Sequence, residues 1–205
     1  FYWYFIFSCY LLTAPSFPFW RQGGHLLPSR HFFIVCCGAA MSFAQLALAP
    51  RLLENLQALG YQQPTPIQQA AIPPMLAGQD LMASAQTGTG KTAAFVLPIL
   101  HRLLTDPLPN PSPVRALVLV PTRELALQVH QSVEKYAGDG TVAALVYGGV
   151  SIAAQVAALQ AGPAIVIATP GRLLDHLRQG ALSLAQLEVL VFDEADRMLD
   201  MGFAD

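Results

Sequence analysis

From residue 41 onward, short apolar runs alternate with longer segments whose apolar residues recur at helical spacing. The apolar runs predict buried strands at 81–85, 116–120, 142–147, 164–168 and 189–192. The segments between them predict helices at 91–104, 122–136, 152–159 and 170–178. Continuous apolar strands that alternate with helices are typical of an α/β fold in which helices cover both faces of a parallel sheet.

Two further helices are expected before the first of these strands. Leucines at helical spacing from residue 52 to residue 59 predict one helix, with Pro50 in its first turn and Gly60 at its end. Thr65 and Pro66 predict the start of the next, as a hydroxyl cap and a proline at the first helical position. The pair at 73–74, both prolines, is expected to break or restart that helix, and the proline-rich segment 106–113 is expected to be a loop.

The first forty residues have a different character from the rest. Residues 1–20 carry no charge and are rich in aromatic side chains, so they could just span a bilayer. Pro15 and Pro18 interrupt that run, however, and no basic residue precedes it as in a signal peptide. We expect residues 1–40 to be translated upstream sequence outside the fold, and residues 41–205 to form the domain. A membrane anchor is the alternative, although no membrane partner is expected.

The composition bounds the class of protein. Of the 205 residues, 54% are apolar and only 12% are charged, which excludes a disordered chain. The net charge of −2 means that any contact with nucleic acid must come from local groups rather than from the overall field. All three cysteines lie within the first forty residues, so residues 41–205 are compatible with a reducing compartment. We expect a cytoplasmic protein.

A phosphate cradle is predicted where the strand at 81–85 meets the helix at 91–104. Gly88 and Gly90 allow the backbone to turn its N–H groups inward, and the helix presents its positive N-terminus to an anion. Lys91 can reach the outer phosphates of a nucleoside triphosphate, and Thr92 can give its hydroxyl oxygen to Mg²⁺. Ala85 stands where the general pattern has glycine. The residues predicted to bind the nucleotide here are Gln86, Thr87, Gly88, Thr89, Gly90, Lys91 and Thr92.

An acidic run follows the last predicted strand. Asp193 is assigned to Mg²⁺, partly through water, and Glu194 to orienting and deprotonating a water for in-line attack, so these two and Lys91 are the predicted catalytic residues. On its own the run 193–196 would be read as a solvated acidic turn that caps a helix. Combined with the cradle, it predicts a site for a nucleoside triphosphate with Mg²⁺.

Six segments in order resemble the DEAD-box ATP-dependent RNA helicases. The resemblance spans residues 41–205 and is strongest to the bacterial RhlE-type branch. It implies a RecA-like P-loop domain, with ATP and Mg²⁺ as cofactors and RNA as partner. The matching segments are 60–68 (GYQQPTPIQ), the cradle, 121–126 (PTRELA), 148–149 (GG), 169–172 (TPGR) and 193–196 (DEAD).

The first of these segments implies how adenine is chosen. The amide of Gln68 offers one donor and one acceptor, which matches the N6/N7 edge of adenine, whereas guanine presents two acceptors there. The resemblance implies that Gln68 selects ATP over GTP and that Tyr61 could stack on the base. Phe43 matches the family's isolated upstream aromatic residue, and a core residue that anchors the first helix is an equally good interpretation of it.

Three other segments are implied to grip the sugar-phosphate backbone of RNA. Since they present helix N-termini, glycines and two arginines rather than groups that read bases, binding should be independent of sequence. The alternative for Arg123 and Arg172 is exposure to solvent or an ion pair with Glu124 and Asp175, respectively. The implied RNA-binding residues are Pro121, Thr122, Arg123, Gly148, Gly149, Thr169, Pro170, Gly171 and Arg172.

The resemblance also implies a missing second RecA-like domain, which supplies arginines to the transferred phosphate. The chain ends before the family's Ser-Ala-Thr segment, so Asp196 lacks the partners that the family gives it. We therefore expect the full protein to unwind RNA, and this chain alone to bind ATP weakly and turn over little. Two alternatives stay open: a DNA-directed translocase of helicase superfamily 2, and a non-catalytic nucleotide-binding fragment.

Overall fold

The computed structural model describes residues 2–8, 31–33, 41–86, 88–106, 112–138 and 143–203. Within them, helices cover both faces of one sheet. A short 3₁₀ helix at Phe43–Leu46 precedes the first α-helix. The strands are β1 (Tyr2–Ser8), β2 (His31–Phe33), β3 (Leu81–Ala85), β4 (Ala116–Leu119), β5 (Ala143–Val146), β6 (Ile165–Ala168) and β7 (Val189–Asp193). The helices are α1 (Pro50–Ala58), α2 (Pro66–Leu76), α3 (Lys91–Thr105), α4 (Arg123–Ala137), α5 (Ile152–Gln160), α6 (Pro170–Arg178) and α7 (Ala195–Asp200).

The strands form one parallel sheet in the order β2-β3-β1-β7-β4-β6-β5. The predicted α/β class is therefore confirmed, and every predicted strand from 81 onward exists with bounds that differ by a residue or less at each described end. Val142, the predicted first residue of the third strand, lies outside the described residues. Parallel pairing brings the carboxyl ends of all these strands to one edge, where the predicted motifs follow them.

Strand β1 is the main departure from the sequence-based expectation. Residues 1–40 were expected to lie outside the fold, yet β1 runs between β3 and β7 and pairs with both. Ser8 pairs with Ala85 at the end of β3, and Ile6 pairs with Asp193 at the end of β7. Without β1, the facing backbone N–H and C=O groups of β3 and β7 would have no strand to pair with, which costs free energy. β1 lies between the two strands and pairs with both.

The core has two parts, one on each face of the sheet. Alternate residues of a strand point to opposite faces. In β6, for example, Ile165 and Ile167 pack with α1 to α4, whereas Val166 packs with Leu159 of α5 and Leu173 of α6. This alternation confirms a sheet buried on both faces, and it explains why the strands read as unbroken apolar runs.

The expectation that the two prolines at 73–74 would break the second helix is wrong. Helix α2 continues through both to Leu76. Its inward face carries Ile72, which is fully buried, and Met75, which is 2% exposed. The prolines lie in the last turn, where their carbonyls still accept from the backbone N–H groups of Ala77 and Gln79. The free energy gained by burying that face outweighs the loss of the two backbone N–H donors that proline lacks.

The amino edge of the sheet is held by a buried arginine. Arg115, at the start of β4, is 2% exposed. Its Nη2 donates to Glu188 Oε2 at 3.0 Å and to Asp106 Oδ2 at 3.1 Å. This cluster joins the end of α3 to the segments that lead into β4 and β7. It lies at the opposite edge from the predicted motifs, so it serves the fold. Among the described helices, none is long and apolar enough to cross a bilayer.

The place of β1 in the sheet can be tested with proline. We expect Tyr4→Pro to lower the free energy of unfolding by roughly 2–4 kcal/mol, because it removes a backbone donor from a strand that pairs on both sides. Tyr4→Val is the matched control, since valine favours strands and keeps the donor. Denaturant unfolding of the two variants gives the comparison. Equal midpoints for them would place residues 1–40 outside the fold.

Candidate functional site

The segment predicted to be a phosphate cradle forms a tight turn between β3 and α3. Gly88 and Gly90 have φ values of +85° and +90°, in the left-handed region that glycine adopts without strain. Within the turn, Thr89 Oγ1 donates to the carbonyl of Gln86 at 2.7 Å. Helix α3 begins directly after Gly90, so its first N–H groups border the turn. Thr87, which was predicted to belong to the cradle, lies outside the described residues.

Both ends of the Gln68 amide are hydrogen-bonded, and its Nε2 is the end that binds the cradle. Its Nε2 donates to the Gly90 carbonyl at 3.1 Å, and its Oε1 accepts from the backbone N–H of Thr65 at 3.0 Å. A methyl group at Gly90 would lie 2.4 Å from Gln68 Nε2, so a larger residue there would displace the Gln68 side chain. The residue predicted to read adenine therefore also joins the start of α2 to the start of α3.

Lys91 and Asp193 lie close enough for their charges to interact, although 101 residues separate them in the chain. Both are buried, with exposed fractions of 8% and 3%. Burial raises the pKa of Asp193 to about 6, and the positive charge of Lys91 opposes this as the strongest influence that lowers it. The cradle and the acidic run thus meet at the carboxyl edge of the sheet, as the sequence predicts.

The oxygen atoms at this place fit Mg²⁺. Among the described residues, Asp193 Oδ1 and Asp196 Oδ1 are buried and have no hydrogen-bond partner, and Thr92 adds a half-buried hydroxyl at the start of α3. Mg²⁺ prefers such hard oxygen ligands and is often held by one or two carboxylates together with phosphate oxygens and water. No cluster of three or more acidic, histidine or cysteine ligands occurs within the described part of the chain.

Glu194 stands in a strained backbone conformation directly after β7. Its φ of +53° is unusual for a residue with a side chain, and such strain concentrates at functional sites. The conformation turns the chain from β7 into α7, with Glu194 as the residue that precedes the helix. Its Oε2 lies 3.3 Å from Arg197 Nη1, in a pair on the exposed side of α7. One oxygen of the Glu194 carboxylate, which is predicted to activate water, is therefore paired with Arg197.

Tyr61 and Phe43 border the same cavity, whose volume is about 430 Å³. Phe43 is 6% exposed and belongs to the core, as the alternative interpretation of it proposed. The hydroxyl of Tyr61 accepts a hydrogen bond from Lys135 Nζ at 2.9 Å, in the last turn of α4. Lys135 also lies 5.0 Å from the centre of the Tyr61 ring. Stacking of Tyr61 on a base stays a prediction.

The three segments predicted to bind RNA follow β4, β6 and β5, which are neighbours in the sheet. Thr122 caps α4, since its Oγ1 accepts from the backbone N–H of Leu125 at 3.3 Å. The backbone N–H of Thr169 donates to the Val146 carbonyl at 2.9 Å, which ties the ends of β6 and β5 together. Three exposed or half-exposed backbone segments, two of which begin helices, therefore lie side by side at the carboxyl edge.

The two predicted RNA-binding arginines differ in their surroundings. Arg123 is exposed, and its guanidinium lies 4.9 Å from the centre of the Tyr147 ring. The Arg172 side chain is only 12% exposed, and its Nη1 donates to the Val150 carbonyl at 2.9 Å and to Gln155 Oε1 at 3.1 Å. The ion pair of Arg172 with Asp175, which is the alternative to RNA binding given above, exists at 3.7 Å.

Sequence reasoning missed Gln155 and Lys135. Gln155 is 5% exposed in α5, where it is surrounded in sequence by alanine and other apolar residues. A single amide within such a helix is a signal, because a polar side chain on the inward face needs partners. Lys135 gave no signal, since a lysine in the last turn of a helix is the ordinary case.

The family model described as DEAD/DEAH box helicase matches residues 65–205. The chain belongs to this family. A solved structure of a DEAD box protein from the hyperthermophile Methanococcus jannaschii matches with a TM-score of 0.73 and 40% identity, over 80% of this chain and 44% of that one. The fold of this DEAD/DEAH box protein is thus the RecA-like α/β fold.

Curated relatives agree with this assignment. The chain is 49% identical over 189 residues to DEAD-box ATP-dependent RNA helicase 28 of Oryza sativa subsp. japonica, which covers 90% of the chain and 23% of the relative. It is 48% identical over 170 residues to ATP-dependent RNA helicase DeaD of Mycobacterium tuberculosis, with coverage of 82% and 29%. The chain therefore spans about a quarter of the length of these relatives.

Substitution of the cradle glycines tests the contact with Gln68. We expect Gly90→Ala to lower the free energy of unfolding by roughly 2–4 kcal/mol, because its methyl group displaces Gln68 as well as straining the backbone. Gly88→Ala strains the backbone equally but meets nothing within 4 Å, so roughly 1–2 kcal/mol is expected. The double variant Gln68→Ala, Gly90→Ala should lose less than the sum of its parts. Equal losses for the two glycine variants would refute the contact.

The raised pKa of Asp193 predicts a pH-dependent stability. Because the folded protein holds that proton up to a pH of about 6, while the unfolded chain releases it near 3.8, stability falls as pH rises through this window. In the absence of Mg²⁺ and nucleotide, Asp193→Asn should therefore be up to about 3 kcal/mol more stable than wild type at pH 7, and nearly equal to it at pH 4. Denaturant unfolding across this range measures the difference.

Asp200→Asn is the control for that measurement, since Asp200 is an exposed carboxylate on the neighbouring helix. The difference in the free energy of unfolding between Asp200→Asn and wild type should not change with pH as that of Asp193→Asn does. A stability gain from Asp193→Asn that is constant between pH 4 and pH 7 would contradict the burial of an ionised Asp193.

Proposed function

We propose that this chain is the ATP- and RNA-binding domain of an ATP-dependent RNA helicase. The observation that carries the proposal is the convergence of Lys91 and Asp193 at the carboxyl edge of the sheet, where both are buried and their charges interact. Two buried, opposite charges beside a glycine turn suit a phosphate chain with its metal ion. The positive charge of Lys91 attracts the phosphates, and the negative charge of Asp193 attracts the metal ion. The relatives named above are ATP-dependent RNA helicases, which supports the same activity.

Each part of the nucleotide has residues suited to it. The cradle from Gln86 to Gly90 binds the phosphates, Lys91 neutralises the outer ones, and Thr92 and Asp193 hold Mg²⁺. Mg²⁺, when bound, neutralises charge on the phosphate oxygens and orients them for attack. Glu194 orients the attacking water once its carboxylate has left Arg197. Gln68 exchanges its bond to the Gly90 carbonyl for the edge of adenine, so that base recognition acts directly on the cradle.

RNA lies along the neighbouring loops of the same edge. The segments after β4 and β6 offer helix N-termini to successive phosphates, and the segment after β5 offers exposed glycines; contacts of this kind reach the sugar-phosphate backbone rather than the bases. Binding is therefore independent of sequence, with a preference for RNA through 2′-hydroxyl contacts. The formal charge of −2 keeps affinity modest, because few cations are available for release of counterions.

The whole protein's activity requires more than this chain. Because the relatives are several times longer, we propose that a second RecA-like domain completes the site and supplies arginines to the transferred phosphate, an effect worth about 10³–10⁵ in rate in related phosphoryl transfers. In the cytoplasm the complete protein would couple hydrolysis of ATP to the unwinding of RNA. This chain alone is expected to bind ATP and RNA with little turnover.

Ligand-induced stabilisation and turnover test the proposal together. Mg·ATP at about a hundred times its dissociation constant should raise the free energy of unfolding by about 2.7 kcal/mol, and Mg·GTP should do so less. Lys91→Ala should abolish the shift, Gln68→Ala should reduce the preference for ATP, and Arg178→Ala, which removes an exposed charge at the far end of α6, should change neither. ATPase is then measured with single-stranded RNA and with DNA of the same sequence.

The outcomes separate the alternatives. Strong RNA-stimulated turnover by this chain alone would refute the need for a second domain. Equal binding and stimulation by DNA would favour a DNA-directed translocase of superfamily 2. Binding of ATP with no turnover, even after a second domain is added in trans, would favour a non-catalytic nucleotide-binding fragment.

A further inference from the structure

Gln155 is the centre of a buried hydrogen-bond network between the loop after β5 and helix α6. Its Nε2 donates to the Tyr147 carbonyl at 2.9 Å. Its Oε1 accepts from Arg172 Nη1 at 3.1 Å and from His176 Nε2 at 3.0 Å. One amide thus contacts one loop and two residues of one helix, and none of these contacts follows from the phosphate or metal chemistry of the site.

The donors and acceptors of the network allow only one arrangement. A carbonyl oxygen accepts from the Gln155 NH₂ group, so the amide oxygen must face Arg172 and His176. His176 must then carry its proton on Nε2. Its side chain is fully buried, and burial, with Arg172 nearby, lowers its pKa, so the imidazole is neutral. The Gln155 amide thus donates one hydrogen bond and accepts two, which restrains its side chain between the loop and the helix.

The network holds both sides of the two exposed glycines at 148–149. Gln155 fixes the carbonyl of Tyr147, which precedes them, and Arg172 fixes the carbonyl of Val150, which follows them. Gly149 has a φ of +83°, and a Cβ added there would meet no atom within 4 Å. Packing around Gly149 therefore does not fix the conformation of the turn. The conformation of this turn therefore depends on Arg172 and Gln155.

We propose that Gln155 and Arg172 are positioning residues, which clamp the turn 147–150 to the N-terminus of α6 so that the backbone N–H groups of both can bind RNA phosphates. The inference rests on the proposed function and refines it. Arg172 acts through the geometry of the turn, because its guanidinium is directed at Val150 and Gln155 and its side chain is only 12% exposed. Arg123, which is exposed, is the arginine that contacts phosphate.

The salt dependence of RNA binding separates a clamp from a direct contact. Each lost phosphate contact reduces the slope of log affinity against log salt by about 0.7 for a single strand. With the 205-residue chain and a labelled oligouridylate, we expect Gln155→Leu, Arg172→Ala and Arg172→Lys each to weaken binding by roughly tenfold with an unchanged slope, because none of them removes a phosphate contact. Arg123→Ala should reduce the slope, and Arg178→Ala should change neither quantity.

The conservative variant and the double variant make the test sharper. Lysine keeps the charge of Arg172 but lacks the fork that reaches Val150 and Gln155 together, so wild-type affinity for Arg172→Lys would overturn the clamp. A reduced slope for Arg172→Ala would overturn it as well, since it would make Arg172 a phosphate ligand. Gln155→Leu combined with Arg172→Lys should cost little more than either alone, because the two act through one network.

Amide hydrogen exchange gives a second readout that does not need RNA. Exchange at 148–150 should become faster in Gln155→Leu and Arg172→Lys while the strands keep their protection, and unchanged exchange at this turn would overturn the clamp. If wild type binds no RNA, the proposed function fails on its own account. The exchange data then decide separately whether the clamp exists.

Discussion

Parallel pairing of the strands is the constraint on which the site depends. It places the carboxyl ends of β3, β7, β4, β6 and β5 at one edge, so loops that are far apart in sequence become neighbours. A buried lysine from the start of α3 and a buried aspartate from the end of β7 can then share one place. Each charge alone would be costly to bury, so neither residue would persist there without the other or without a ligand.

That dependence explains why Asp193, the residue proposed to hold Mg²⁺, lowers the stability of the apoprotein when it is ionised. The carboxylate has an oxygen without a partner among the described residues, and burial raises its pKa to about 6. The positive charge of Lys91 compensates only in part, so ionisation of this buried carboxylate costs the apoprotein free energy. Binding of a metal ion and phosphates would remove this unfavourable contribution and so stabilise the folded protein.

The sequence predicted the elements whose signals are local and failed where the decisive contact is distant. The strand at 81–85 and the helix at 170–178 were predicted residue for residue, because apolar runs and a Thr-Pro start mark their ends. The prolines at 73–74 misled, since the burial of Ile72 and Met75 against other elements outweighs local propensity. The pairing of β1 with β3 and β7 and the contacts of Gln155 are also set by distant partners, which periodicity does not show.

The arrangement of the loops also indicates how nucleotide and RNA could affect each other. Phe192 pairs with Leu119, so Asp193 lies level with the residues that lead from β4 into the first RNA segment. The backbone N–H of Val120 in turn donates to the carbonyl of Ala168, directly before Thr169. Strand pairing and one backbone hydrogen bond thus connect the end of β7 with the segments after β4 and β6, which are two of the three segments proposed to bind RNA. A shift of Asp193 upon binding a metal ion would move rigid neighbours rather than flexible loops, because adjacent strands are only about 4.8 Å apart and packed on both faces.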